Sequence, residues 1–167
     1  LNFIARTNLG GPVESFGFPS NYISYRTNAS IGGAGIQPLI AFQPIPDPFT
    51  GRESEGANQI AFAPPGFPDG LNPGIFLGFH GKYSSAGTAN EENPIVYADP
   101  TTGSYFHFIL GQQAGIGHLD GLLATRDSLF VADLASTGDL SSGAGAGVIY
   151  QIKSLVTPKA PTLGIQR

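Results

Sequence analysis

Two stretches of the chain repeat one pattern, and that repeat limits the fold more than any other feature. Asn58-Gln59-Ile60-Ala61-Phe62-Ala63, a turn, and Gly74-Ile75-Phe76-Leu77-Gly78-Phe79 are answered by Asp120-Gly121-Leu122-Leu123-Ala124-Thr125, a turn, and Ser128-Leu129-Phe130-Val131-Ala132-Asp133. Each copy reads as a polar residue, a short apolar strand, a turn and a second apolar strand. Strand pairs of this kind bury their faces only by stacking on neighbouring pairs, so a repeat architecture is expected. The copies start about 62 residues apart, at 58 and 120.

Further strand candidates follow each copy. Pro94-Ile95-Val96-Tyr97-Ala98 and Ser104-Tyr105-Phe106-His107-Phe108-Ile109 are joined by Asp99-Pro100-Thr101-Thr102-Gly103, a strong turn signal. Val148-Ile149-Tyr150-Gln151-Ile152 follows the second copy, with no fourth strand evident. Leu1-Asn2-Phe3-Ile4 and Pro38-Leu39-Ile40-Ala41-Phe42 read as outer strands of a preceding unit, and the Gly- and Asn-rich stretch 7–37 as a long insertion. With 24 glycines and 14 prolines, nowhere does a 3.6-residue apolar period hold across a dozen positions, so helix is not expected.

The expected fold is therefore all-β, a β-propeller fragment of about two and a half blades. Outer strands of a blade plus the insertion occupy 1–45, a complete four-stranded blade 46–112, a last blade lacking its outer strand 113–153, and a C-terminal tail 154–167. The copy spacing exceeds the roughly 40–50 residues usual for blades, which fits loop insertions. Such a fragment cannot close a ring alone. The N-terminal remainder of the same propeller is the expected partner. The chain opens on Leu1 and holds no methionine, which likewise points to a longer gene product.

A net charge of −4 with no cluster of Lys and Arg argues against nucleic acid. No apolar run approaches the roughly 18–20 residues of a membrane span, and no basic, then apolar, leader opens the chain. The absence of cysteine excludes disulfides, Cys zinc sites and a thiol nucleophile, but leaves the compartment open.

The opening Leu1-Asn2-Phe3-Ile4 with Phe16-Gly17-Phe18-Pro19, the run Ile75-Phe76-Leu77-Gly78-Phe79-His80-Gly81, and the order Gly117-His118-Leu119-Asp120, Ser128 to Asp133, Gly147 to Ile152 resemble the glucose/sorbosone dehydrogenase-like quinoproteins. The resemblance runs nearly end to end. It implies a six-bladed ring holding pyrroloquinoline quinone over its channel with calcium nearby, in an extracellular or periplasmic protein. It further implies oxidation of a sugar or polyol, a histidine taking the hydroxyl proton while hydride passes to the quinone. That histidine belongs to an earlier blade and has no counterpart here. Where the family has an arginine before the last inner strand, this chain has Gly117 or His118, and histidine cannot reproduce a bidentate carboxylate clamp.

Polar residues at the channel ends of inner strands are the natural ligand contacts. The repeat places Glu55 and Asn58 there in one blade, as substrate contacts, and His118 and Asp120 in the next, as cofactor contacts. His80 joins them from the end of a second strand, and Lys82 is placed to meet a quinone carboxylate. The bland alternative is that these residues satisfy backbone groups between blades and start strands. His80, His107 and His118 match no zinc spacing, and no metal ligand is assigned. Glu53, Glu55, Glu91 and Glu92 offer oxygens to calcium without an EF-hand spacing, and loop carboxylates are usually just solvated. The glycine-rich stretches 32–35 and 141–147 lack the strand–helix setting of a phosphate cradle and read as flexible loops. Asn28-Ala29-Ser30 is a glycosylation acceptor pattern. Three readings follow: a quinone-dependent sugar or polyol dehydrogenase; a non-catalytic propeller of the same kind binding carbohydrate or a protein; and a purely structural propeller.

Overall fold

The computed structural model describes residues 1–24, 27, 29–33, 35–42, 56–82, 94–111, 113–141 and 145–155. Among them the chain is all-β, in three antiparallel sheets of two, four and three strands, with a single 3-10 turn at Arg6–Asn8. No helix among the described residues is long and apolar enough to cross a membrane. The first sheet is a short ladder of β1 (Tyr22–Ile23) and β2 (Ser30–Ile31). The second joins β3 (Ala57–Phe62), β4 (Ile75–Phe79), β5 (Ile95–Ala98) and β6 (Tyr105–Ile109) in chain order. The third joins β7 (Gly121–Ala124), β8 (Ser128–Asp133) and β9 (Val148–Lys153), also in chain order.

The strands of the two larger sheets are those the apolar runs mark, and the β5–β6 connection is the one its turn residues demand. Between β5 and β6, the Asp99 carboxylate accepts the Thr101 N–H at 2.8 Å and the Thr102 hydroxyl at 3.0 Å. These bonds close the turn and hold its carboxyl below the usual aspartate range.

The central strands β4 and β5 of the second sheet are buried on both sides, while β3 is largely exposed. On one face, Phe76, Ile95 and Tyr97 pack with Leu122, Leu129 and Val131 of the third sheet. Phe76 is the hub, with its ring centroid 5.9 Å from Phe67, 5.3 Å from Tyr97 and 5.2 Å from Phe108, all edge-on. On the other face, Ile75, Leu77, Phe79, Val96 and Ala98 pack with Ile40, Leu1 and Phe42. Among the described residues, the third sheet is covered on one side only.

The N-terminal part departs from expectation. Residues 1–4 and 38–42 belong to no ladder; they meet through two backbone bonds, Leu1 N to Ile40 O at 2.7 Å and Ile40 N to Leu1 O at 3.3 Å. Pro38 has no N–H to extend that pairing. The stretch read as an insertion instead contributes β1 and β2, with Asn21 Oδ1 accepting the Gly33 N–H at 2.7 Å.

On β6, half-buried His107 stands opposite Val96. Burial lowers its pKa from the ordinary histidine value. The unfolded chain therefore takes this proton first as pH falls, so stability drops from about pH 6.5 towards the lowered value and levels off below it. His107→Phe is expected to lose less stability than wild type between pH 8 and pH 5.5, as read by urea denaturation at each pH.

Candidate functional site

The second and third sheets meet where the chain leaves β4 and enters β7. Gly78 makes the approach close, since a Cβ there would lie 2.5 Å from the Leu119 carbonyl oxygen. Without that atom, the backbone of 118–120 settles onto the end of β4 and three polar side chains converge.

His80 Nδ1 donates to Asp120 Oδ2 at 2.8 Å. A carboxylate only accepts, so the ring hydrogen sits on Nδ1 and the lone pair of neutral His80 on Nε2. The His80 side chain retains 29% of its exposure while that of Asp120 retains 4%. The second Asp120 oxygen, Oδ1, is buried without a hydrogen-bond partner.

The His118 ring stacks on that of His80 with centroids 4.4 Å apart and planes inclined by 16°. Its Nδ1 donates to the His80 carbonyl at 2.7 Å, and its Nε2 lies 3.0 Å from the Gly138 carbonyl. Both partners are acceptors, so neither nitrogen presents a lone pair to a ligand. His80 is further fixed by its own N–H, which donates to Gly56 O at 2.9 Å.

Behind the histidines, buried Asp133 organises the backbone. Oδ2 accepts the Gly117 N–H at 2.9 Å, and Oδ1 accepts the N–H groups of His118 at 2.8 Å and Ala135 at 3.1 Å. A side chain at 117 would overlap the Ala135 carbonyl oxygen. The local packing thus has no room at 117 for the arginine that the resembled family carries before this strand.

The structure brings together His80, His118 and Asp120 among the residues expected at a site. Lys82 lies two residues beyond His80, half-buried. Asn58 is the extra residue of a bulge in β3 and is exposed. Glu55, with Glu53, Glu91, Glu92 and Asn28, lies outside the described residues. Gln59, which the sequence did not single out, bridges the sheets by accepting the Leu122 N–H with Oε1 at 2.8 Å. Asp133 was equally silent, although an acid closing an apolar strand, at the repeat position of Phe79, is a signal.

His118 and Asp120 do not fit a quinone bearing carboxylates. His118 has both nitrogens committed and is 0% exposed, and Asp120 would add a second negative charge where a cation is required. Calcium wants about 6–8 oxygens, and no group of three or more His, Asp or Glu among the described residues is arranged to hold a metal. The pair can instead orient an imidazole towards a hydroxyl group. A scan against protein-family models and searches of curated proteins and of solved structures found no match to this chain.

Proposed function

We propose that the second and third sheets are neighbouring blades of a β-propeller resembling the glucose/sorbosone dehydrogenase-like kind, and that it binds a sugar or polyol through His80 without holding a quinone at this junction. The Asp120–His80 pair carries this reading. A carboxylate on Nδ1 fixes the ring's orientation and leaves Nε2 of the half-exposed imidazole to accept a hydroxyl hydrogen. Stacking on His118 holds the ring against rotation. Neutral polyhydroxylated ligands suit the junction better than anions, because Asp120 is the acid nearest to His80.

Calorimetric titration with a panel of aldoses and polyols tests the reading. Wild type is expected to bind at least one of them, and His80→Ala to abolish the heat. Asp120→Asn is expected to weaken binding about tenfold, the worth of roughly one charge-assisted hydrogen bond. Unchanged affinity in a folded His80→Ala protein would remove the proposal. Dye reduction with aldose after adding the quinone and calcium would instead support the dehydrogenase reading and a cofactor held by other residues.

A further inference from the structure

The two larger sheets are built alike, but the third is one strand short. In the second, β6 pairs with β5 and completes a set of four. In the third, β9 pairs with β8 on one side and, among the described residues, with no strand on the other. Alternate residues of β9 therefore turn their N–H and C=O groups outward, a row of donors and acceptors open to a further strand.

The side chains mark the same gap. Phe106 of β6 stands opposite Tyr97, with ring centroids 5.4 Å apart, and so shares the face that Tyr97 turns to the third sheet. Phe106 is nevertheless 47% exposed, against 4% for Tyr97. The third sheet stops at β9, whose inward residues Tyr150 and Ile152 are half-buried at the border of the shared core. A strand added beside β9 would lie across from β6 and cover Phe106.

The occupant follows from chain order. Both sheets place each strand beside its sequence neighbour, so the strand after β9 is due from the residues beyond Leu155. Those residues, 156–167, belong to the stretch read from sequence as a tail and lie outside the described residues. Within them, Thr162-Leu163-Gly164-Ile165-Gln166 alternates polar or small residues with branched apolar ones, at the period of a half-buried strand. It matches the five residues of β6 in length. Pro158 and Pro161 precede it, in the connection, where no ladder N–H is required.

We propose that residues 162–166 dock antiparallel along the outer edge of β9, completing the third sheet with Leu163 and Ile165 turned inward over Phe106. The proposal rests on strand order and on the exposure of Phe106, not on the ligand proposed at His80.

Amide hydrogen exchange on the full chain and on a chain ending at Leu155 tests it. In the full chain the outward amides of β9 are expected to exchange slowly, with the inward amides paired to β8 as the internal reference. Truncation should speed the outward amides by at least about tenfold, the loss of protection expected when a paired edge opens. Leu163→Asp in the full chain should do the same, while Gln166→Glu, on the outward side, should change nothing. A synthetic peptide of residues 156–167 added to the truncated chain should restore protection. Outward amides that exchange equally fast in the full chain, the truncated chain and Leu163→Asp would overturn the proposal. Protection that rises with protein concentration would overturn it too, because the strand would then come from another molecule. Sugar binding by the same samples reports separately on His80.

Discussion

Replacing Phe76 with alanine is expected to lower the unfolding free energy by about 3–5 kcal/mol, as measured by urea denaturation of the otherwise unchanged chain. The side chain is 0% exposed and touches three other aromatic rings in the layer between the second and third sheets. Those neighbours come from β5, β6 and the β3–β4 connection. Their backbones are fixed by two different ladders and a turn, so the cavity cannot collapse evenly. Against a total of roughly 5–15 kcal/mol for a domain, the loss takes the protein close to its threshold. Phe76→Leu should retain about half of the difference, since it refills much of the volume. A loss below about 1 kcal/mol for the alanine variant would mean that this layer is not the main core.

Asp133→Ala should be comparably damaging for a different reason. Three buried or nearly buried N–H groups, of Gly117, His118 and Ala135, lose their acceptor together. Each orphaned donor costs roughly 1–3 kcal/mol, and a water entering the gap recovers part, so about 3–5 kcal/mol is expected. Asp133→Asn keeps one oxygen and should cost about half as much, although its NH2 group now faces a donor. The readout that separates a local from a global effect is affinity, in the folded fraction, for the sugar or polyol proposed above. The His118 backbone is anchored by Asp133, so the His80 ring loses its stacking partner's position even in molecules that stay folded. If denaturation shows Asp133→Ala to be as stable as wild type, Asp133 does not hold this junction.

Much of the strand order was legible because the residues say it twice. The pairs 58–63 with 74–79 and 120–125 with 128–133 share one pattern of small and large apolar residues, and each pair forms a hairpin. The Asp99–Gly103 turn was readable from chemistry alone, since aspartate, threonine and glycine each serve one requirement of the turn. The N-terminal part was less so. Leu1 to Ile4 and Pro38 to Phe42 have strand composition, but Leu1, Ile40 and Phe42 are apolar because they cover the second sheet, not because they pair in a ladder. Composition cannot distinguish those two reasons for being buried.

For the site, the repeat placed His80, His118 and Asp120 near one another without revealing which would face solvent. That depends on ring geometry: His118 has a carbonyl at each nitrogen, while His80 has a carboxylate at one. Gln59 was overlooked because its role lies across the sheet junction, where no local pattern reports it.

The missing methyl at Gly78 has a reach beyond its strand. It sets how far the backbone of 119–120 stands from β4, and so fixes the 2.8 Å separation of His80 and Asp120 two residues further on. A position with no functional group thereby governs the alignment of two that have one. Any side chain at residue 78 would push that backbone off β4 and part the imidazole from its carboxylate.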